Sequence, residues 1–280
     1  MLRDLQLAPE LQASIVTFLC SIVSSMLPID VKVYTMTAIS DMLKVFAASL
    51  ILPELLVQSI SSGLDDYTND QRGDIGSLLR SESISAASRW LSIERSEDSS
   101  QAIVQRLVRL AMEKLIKVRY QAWSCLQDCW TVVFSDIPLE SRYQHQVDVS
   151  SFEYYSQLIH LLSIKWLRNS IIHGLTSSTA GGNEDVGHAA GDALMLYTYE
   201  LDEVLQPSTI ESFVQILLAD LDKSVAKDDR EVVPILDMLC FLLEQVDSDL
   251  LGPVIGTYQS QISSTIDKLH SPIADIARIQ

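Results

Sequence analysis

Apolar residues recur at helical spacing along almost the whole chain, and this regularity limits the fold more than any other feature. Over 99–118 they fall at Ile103, Leu107, Leu110, Ala111, Leu115 and Val118. Over 210–221 they fall at Ile210, Phe213, Val214, Leu217, Leu218 and Leu221. A recurrence at i, i+3 and i+4 places such side chains on one stripe of an α-helix. No run shows the alternation of a half-buried strand. Helix starts are marked by Pro28-Ile29-Asp30, Pro53-Glu54, Gly73-Asp74 and Gln206-Pro207-Ser208, residues suited to caps and first turns. The pattern predicts eleven or twelve helices, over 9–27, 30–49, 53–66, 75–94, 99–116, 117–134, 150–163, 164–177, 184–201, 207–222, 229–245 and 249–270. The segments near 67–73, 135–149 and 177–184 are the least regular.

Many helices of similar length joined by short connections suggest an internal repeat. Val31–Ile39 aligns with Val118–Leu126, and Leu79–Ala87 fits the same template; Val186–Leu194 fits it without the basic residue. The template reads apolar, basic, two free, small, apolar, polar or small, small, apolar. Its small residues let a neighbouring helix approach, its apolar ones face the stack, and its basic residue can reach an acidic partner one repeat away. The windows lie 48, 39 and 68 residues apart, against about 40–47 for HEAT or armadillo units. Asp74 ahead of Arg80 echoes the acid-then-basic order of HEAT repeats. The fold class expected is all-α, a HEAT/armadillo-like α-solenoid of about eleven or twelve helices. The chain reads as one repeat domain over 1–280, with sub-units 1–134 and 150–280 joined by the loop 135–149. An irregular all-α domain is the alternative.

Hydrophobic residues make up 48% of the 280 residues, enough for a sizeable core. The net charge of −17 argues against general nucleic-acid binding, where phosphate neutralisation supplies most of the affinity. The charge is uneven. Residues 72–119 hold nine Lys/Arg against six Asp/Glu, whereas 181–280 hold five against eighteen. Such a bias steers an acidic partner to the first half and a basic one to the last third, or it is only a solvated face. Neither 11–27 nor 43–60 qualifies as a targeting or membrane segment; the second contains Lys44, Pro53 and Glu54. Cys20, Cys125, Cys129 and Cys240 all sit in apolar runs without zinc spacing, which reads as core thiols in a reducing compartment. The location expected is cytoplasmic. A bare repeat face near 11–27 predicts self-association.

No nucleophile, base and oxyanion set can be assembled, and there is no G-x-S-x-G, H-E-x-x-H or phosphate-loop motif. The chain therefore reads as a protein without an active site, metal or cofactor. Arg72-Gly73-Asp74 spells an adhesion tripeptide, yet reads as a turn at Gly73 and a helix cap at Asp74.

Three stretches carry a family resemblance. Asp66-Tyr67-Thr68-Asn69-Asp70-Gln71-Arg72-Gly73-Asp74-Ile75-Gly76-Ser77-Leu78-Leu79-Arg80 resembles the D-Y-T-x-x-x-R-G-D-V-G-x-W-V-R segment of the tubulin-folding cofactor D (tubulin-specific chaperone D) family. Ser170-Ile171-Ile172-His173-Gly174-Leu175, followed by Gly181-Gly182 and Glu184, is similar to that family's S-I-V-H-G-L with a glycine pair. Val233-Pro234-Ile235-Leu236-Asp237-Met238-Leu239 is similar to its V-P-L-L-K-T-L-D. The resemblance runs from about residue 11 to 262, to the C-terminal region of the family. Leu78 replaces the family's tryptophan, and Ser81-Glu82-Ser83-Ile84-Ser85 replaces its alanines. The chain is far shorter than full-length members, as a domain, fragment or truncated product would be.

The resemblance implies a chaperone that holds β-tubulin and works with cofactors E and C and an Arf-like small GTPase. That assembly builds and dismantles the αβ-tubulin dimer and promotes GTP hydrolysis by tubulin, in the cytoplasm and in association with microtubules. The alternative is a generic HEAT/armadillo adaptor in trafficking or nuclear transport; a small helical enzyme or lipid-binding domain is a third reading. The candidate partner-binding residues are Tyr67, Arg72, Gly73, Asp74, Gly76 and Arg80, with His173, Gly174, Gly181 and Gly182. The first group is either a contact loop whose arginines meet carboxylates, or a turn in which Asp74 caps a helix and Arg80 pairs with a neighbouring repeat. In the second group the glycines either contact a partner or reverse the chain, with His173 closing a helix C-terminus.

Overall fold

The computed structural model describes residues 8–46, 51–93, 97–134, 148–179, 184–200, 205–224 and 229–269. Gly181 and Gly182 lie outside them. Twelve α-helices occupy the described residues: α1 (Pro9–Val23), α2 (Ile29–Phe46), α3 (Pro53–Leu64), α4 (Gly76–Ile93), α5 (Glu97–Leu110), α6 (Ile116–Val133), α7 (Phe152–Ile159), α8 (Arg168–Thr179), α9 (Glu184–Glu200), α10 (Leu205–Ser224), α11 (Asp229–Gln245) and α12 (Ser248–Leu269). The protein is an all-α solenoid. The chain divides into two compact units, one of residues 1–111 and 115–145, the other of 112–114 and 146–280.

In the first unit each helix packs on its sequence neighbour and on the next but one. Helices α2, α4 and α6 therefore make one row, and α1, α3 and α5 another. The three repeat windows of this unit fall on α2, α4 and α6, so the template marks equivalent helices of one row. Its small positions do what close packing requires. Ser83, Ala86 and Ala87 of α4 are buried, and Ser83 lies against Gly63 of α3, where a β-carbon would be 2.9 Å from the Met36 methyl of α2. The core beneath includes Trp90, Trp123 and Trp130; the last two meet edge-on with ring centroids 5.9 Å apart.

In the second unit α9 packs on α7 and α8, and α10 packs on α11 and α12. A buried polar relay fixes α7 to α8. The Tyr155 hydroxyl lies 3.0 Å from Ser178 Oγ, which donates to the Met112 carbonyl at 2.6 Å. The serine proton is committed to that carbonyl, so Tyr155 is the donor to Ser178. Both buried hydroxyls are thereby satisfied.

The structure departs from the sequence expectation at several places. Helical spacing gave no sign of a two-residue antiparallel ladder, β1 (Asn69–Asp70) with β2 (Gly73–Asp74), pairing Asn69 with Asp74 and Asp70 with Gly73. Helix α5 ends at Leu110 rather than 116, and Met112–Lys114 belongs to the second unit. The helix expected over 164–177 starts later. Single turns of 3-10 helix at His160–Ser163 and Lys165–Leu167 precede α8, which runs on to Thr179. Cys240 is exposed, whereas Cys20, Cys125 and Cys129 are buried as expected of core thiols.

Candidate functional site

The most organised surface feature is the connection between α3 and α4, built around β1 and β2. Its geometry follows from short-range hydrogen bonding. Asp66 Oδ1 accepts from the Thr68 amide at 2.9 Å, and Asp70 Oδ1 accepts from the Arg72 amide at 2.7 Å. Two successive Asx turns of this kind reverse the chain without help from a core. Gly73 sits at φ +101°, where a side chain is strained. Asp74 Oδ1 accepts from the Ser77 amide at 3.1 Å, and Ser77 Oγ donates to the Asp74 carbonyl at 2.7 Å, which caps the start of α4. The Gly76 amide donates to the Thr68 carbonyl at 2.9 Å. A β-carbon there would collide with the Asp66 carbonyl and stand 2.7 Å from the Thr68 nitrogen.

The hairpin is held down by cations from three helices of the first unit. Arg80 of α4 has no exposed side-chain surface. It donates to the Asp66 carbonyl at 2.6 Å, to Asp74 Oδ1 at 3.2 Å and to Asp74 Oδ2 at 2.6 Å. Its guanidinium lies 4.2 Å from the Tyr67 ring centroid, and that of Arg109 from α5 lies 5.5 Å away. Asp65 receives Arg106 and Arg109, each at 2.8 Å. Lys32 of α2 lies 3.7 Å from Asp66. The basic position of the repeat thus meets an acid one repeat away at Lys32. At Arg80 it does not: the acid is in its own loop, because Asp74 caps the helix that carries the arginine and stands six residues before it.

The hairpin sorts the first group of sequence candidates into two kinds. Asp74, Gly76 and Arg80 point inward and fix the loop. Tyr67, Arg72 and Gly73 face solvent, with the Arg72 side chain 66% exposed. Arg72 pairs with Asp70 at 2.7 Å. The Arg72 side-chain hydrogen bond, and then its amide, hold the Asp70 carboxyl below the usual carboxylate range. Because Asp74 is engaged by Ser77 and Arg80, the Arg72-Gly73-Asp74 tripeptide does not hold its acid free as an adhesion loop would. Asp65, Arg106 and Arg109 were not singled out from sequence, whereas Lys32 was, as the basic position of the repeat. The signal available was the i, i+3 pair Arg106 and Arg109, flanking the apolar stripe of α5.

The second group lies in the other unit. His173 is not at a helix C-terminus but in the middle of α8, because the helix continues to Thr179. Gly174 is buried beside it. His173 Nε2 hydrogen-bonds Asp220 Oδ2 of α10, and Lys223 lies 3.3 Å from Asp220 Oδ1. Burial pushes the Asp220 carboxyl up, but the hydrogen bond and charge of His173, with those of Lys223, outweigh it and leave the group below its ordinary value. The His173–Asp220 hydrogen bond braces two helices. Among the described residues, no group of His, Cys, Asp or Glu is arranged to hold a metal ion. No helix there is long and apolar enough to cross a membrane.

The fold and the hairpin define a class: an all-α helical-repeat protein carrying a turn braced by ion pairs. The family model described as tubulin folding cofactor D C terminal matches residues 101–265, more than half the chain, and the chain belongs to that family. The match takes in α6 to α11 and the His173–Asp220 brace, while the hairpin lies ahead of it. Comparison with curated proteins and with solved structures gives no match.

Proposed function

We propose that the chain is a non-enzymatic chaperone scaffold that holds β-tubulin during assembly and disassembly of the αβ-tubulin dimer. In this reading it works in the cytoplasm with cofactors E and C and an Arf-like small GTPase, and promotes GTP hydrolysis by tubulin as part of that complex. Family membership supports this over a generic trafficking or transport adaptor. The observation that carries the contact is the division of labour in the hairpin. Asp66, Asp74, Gly76 and Arg80 hold the turn, and Arg72 stands on the solvent side beside Tyr67 and Gly73. A cation on a braced turn meets an acidic protein surface with little ordering left to do on binding. The excess of cations over 72–119 favours the same kind of partner by steering. His173, half-exposed on α8, is a second contact in this reading together with Gly181 and Gly182, and Gly174, buried within α8, is not part of it.

The test is retention of purified αβ-tubulin and cofactor E by the immobilised 280-residue chain, with wild type and Arg72→Glu compared. Retention should fall at least about tenfold for Arg72→Glu, a difference of about 1.4 kcal/mol in binding. The thermal midpoint should stay within about 2 °C of wild type, because Arg72 bonds only within its own turn. Equal retention by the two proteins removes the hairpin from the contact. A large fall in the midpoint assigns Arg72 a structural part instead.

A further inference from the structure

The start of α4 and the α5–α6 connection lie at the same end of the first unit. Lys32, near the start of α2, reaches Asp66 of the hairpin, and Arg106 and Arg109, near the end of α5, reach Asp65. The Arg109 guanidinium also lies 5.5 Å from the Tyr67 ring centroid. Helix α6 begins at Ile116, soon after α5 ends, and packs beside α4. Four large apolar side chains stand in water at this end. Tyr67 is 44% exposed, Leu78 47%, Leu115 39% and Ile116 59%. Helices α2 and α6 flank α4 on either side, so Leu78 is bare with both of its row neighbours in place. The repeat shows that the core does not need it: its equivalents, Asp30 of α2 and Lys117 of α6, are charged and exposed. A single exposed leucine is ordinary, but several large apolar side chains at one end mark an interaction face.

Charge at this end is one-sided. The hairpin carboxylates are already engaged: Asp65 by Arg106 and Arg109, Asp66 by Lys32, Asp70 by Arg72 and Asp74 by Arg80. Lys117 is exposed and pairs with no carboxylate among the described residues. Arg72 gives its Nε and Nη2 to Asp70, which leaves Nη1 for an incoming carboxylate. We propose that Tyr67, Arg72, Leu78, Leu115, Ile116 and Lys117 form one docking face for an acidic amphipathic segment of a partner protein. Leu78, Leu115 and Ile116 take its apolar side chains, and Arg72 and Lys117 take the Asp or Glu beside them. This rests on the reading of the hairpin as a contact and supplies the chemistry of what it contacts. The four apolar side chains present roughly 350 Å², taking about 150–250 Å² for each when bare. Burial of about 700 Å² in all belongs to weak, transient complexes, with a dissociation constant in the micromolar range. An anionic lipid surface fits less well, because two cations are too few to hold a chain of net charge −17 against it.

Fluorescence anisotropy of labelled synthetic peptides with the full 280-residue chain tests this. One peptide carries leucines at i, i+3, i+4 and i+7 among glutamates; the other has the same composition with the leucines scattered round the helix. The first should bind in the micromolar range and the second at least about fivefold more weakly. Leu78→Ser, Ile116→Ser and Lys117→Glu should each weaken the first at least about fivefold, with the thermal midpoint within about 2 °C of wild type. Lys165→Glu, at an exposed cation of the second unit, should leave binding unchanged. Equal binding of the two peptides, or equal loss in Lys165→Glu, reduces the attraction to charge alone and overturns the proposal. So does binding that survives Leu78→Ser and Ile116→Ser, or binding to phosphatidylserine vesicles in place of the peptide. A dimer of the chain in sedimentation that Ile116→Ser dissociates gives the face to a second copy and overturns it too. Retention of αβ-tubulin by the same proteins separates the two readings. Peptide binding without tubulin retention keeps this face and removes the tubulin reading. Tubulin retention without peptide binding, undisturbed by these substitutions, removes this face and keeps that reading.

Discussion

Arg80→Ala should unfold the first unit far more easily, while leaving the second alone. The guanidinium is wholly buried and makes three hydrogen bonds to the Asp66 carbonyl and the Asp74 carboxylate. Bonds to charged groups are worth about 1.5–3 kcal/mol each when deleted singly, but these three share one group and do not add. Deleting one partner of a buried ion pair costs about 3–5 kcal/mol. Asp74 keeps its bond to the Ser77 amide and stays 26% exposed, so water partly replaces the arginine. The loss therefore belongs at the lower end, about 3 kcal/mol, of which the stacking on Tyr67 supplies roughly 0.5–1 kcal/mol. Arg80→Lys keeps the charge but loses the fork that reaches both acceptors, and should cost about half as much.

Three of the four tryptophans, Trp90, Trp123 and Trp130, lie in this unit, so fluorescence-detected urea unfolding reports mainly on it. With a slope near 2 kcal/mol per molar urea, the midpoint should fall by roughly 1.5 M for Arg80→Ala. A loss under about 1 kcal/mol would refute the claim that this arginine pins the hairpin to α4.

Three further outcomes follow from the geometry. Gly76→Ala should cost at least about 2 kcal/mol in the same assay, because its methyl meets the backbone of Asp66 and Thr68, which cannot move without opening the hairpin. Asp220→Asn should flatten the acid limb of the second unit's stability: a carboxyl held below its ordinary value stabilises the fold above that value and stops doing so as pH falls through its lowered one, so the acid-induced loss of helix signal below about pH 4 should be smaller in the variant. Ellman titration at about pH 8 should find one fast thiol per chain, lost in Cys240→Ser, because Cys240 is exposed while burial pushes Cys129 up to about 12 and Cys125 higher still.

The helices were legible because the signal for them is local. A stripe such as Ile103, Leu107, Leu110 repeats within a few turns and needs no knowledge of what it packs against. Turn chemistry at 66–76 was legible for the same reason: Gly73 as the turn and Asp74 as the cap depend on neighbours within three residues. The two-residue ladder was not, since strands that short have no period to read.

What the sequence determined by itself was the all-α repeat, the equivalence of α2, α4 and α6, the capped turn and the family likeness. The first three rest on spacing along the chain, and the likeness rests on the residues of three short motifs. Tertiary structure alone decided the partners. Asp65 collects Arg106 and Arg109 from more than forty residues away, and His173 finds Asp220 across two helices. Arg80 turns back to its own loop instead of reaching the next repeat. An arginine carries the same charge whichever carboxylate it meets, so composition and spacing leave that choice open. Packing closes it, by burying the guanidinium where one pair of oxygens and one carbonyl lie within reach.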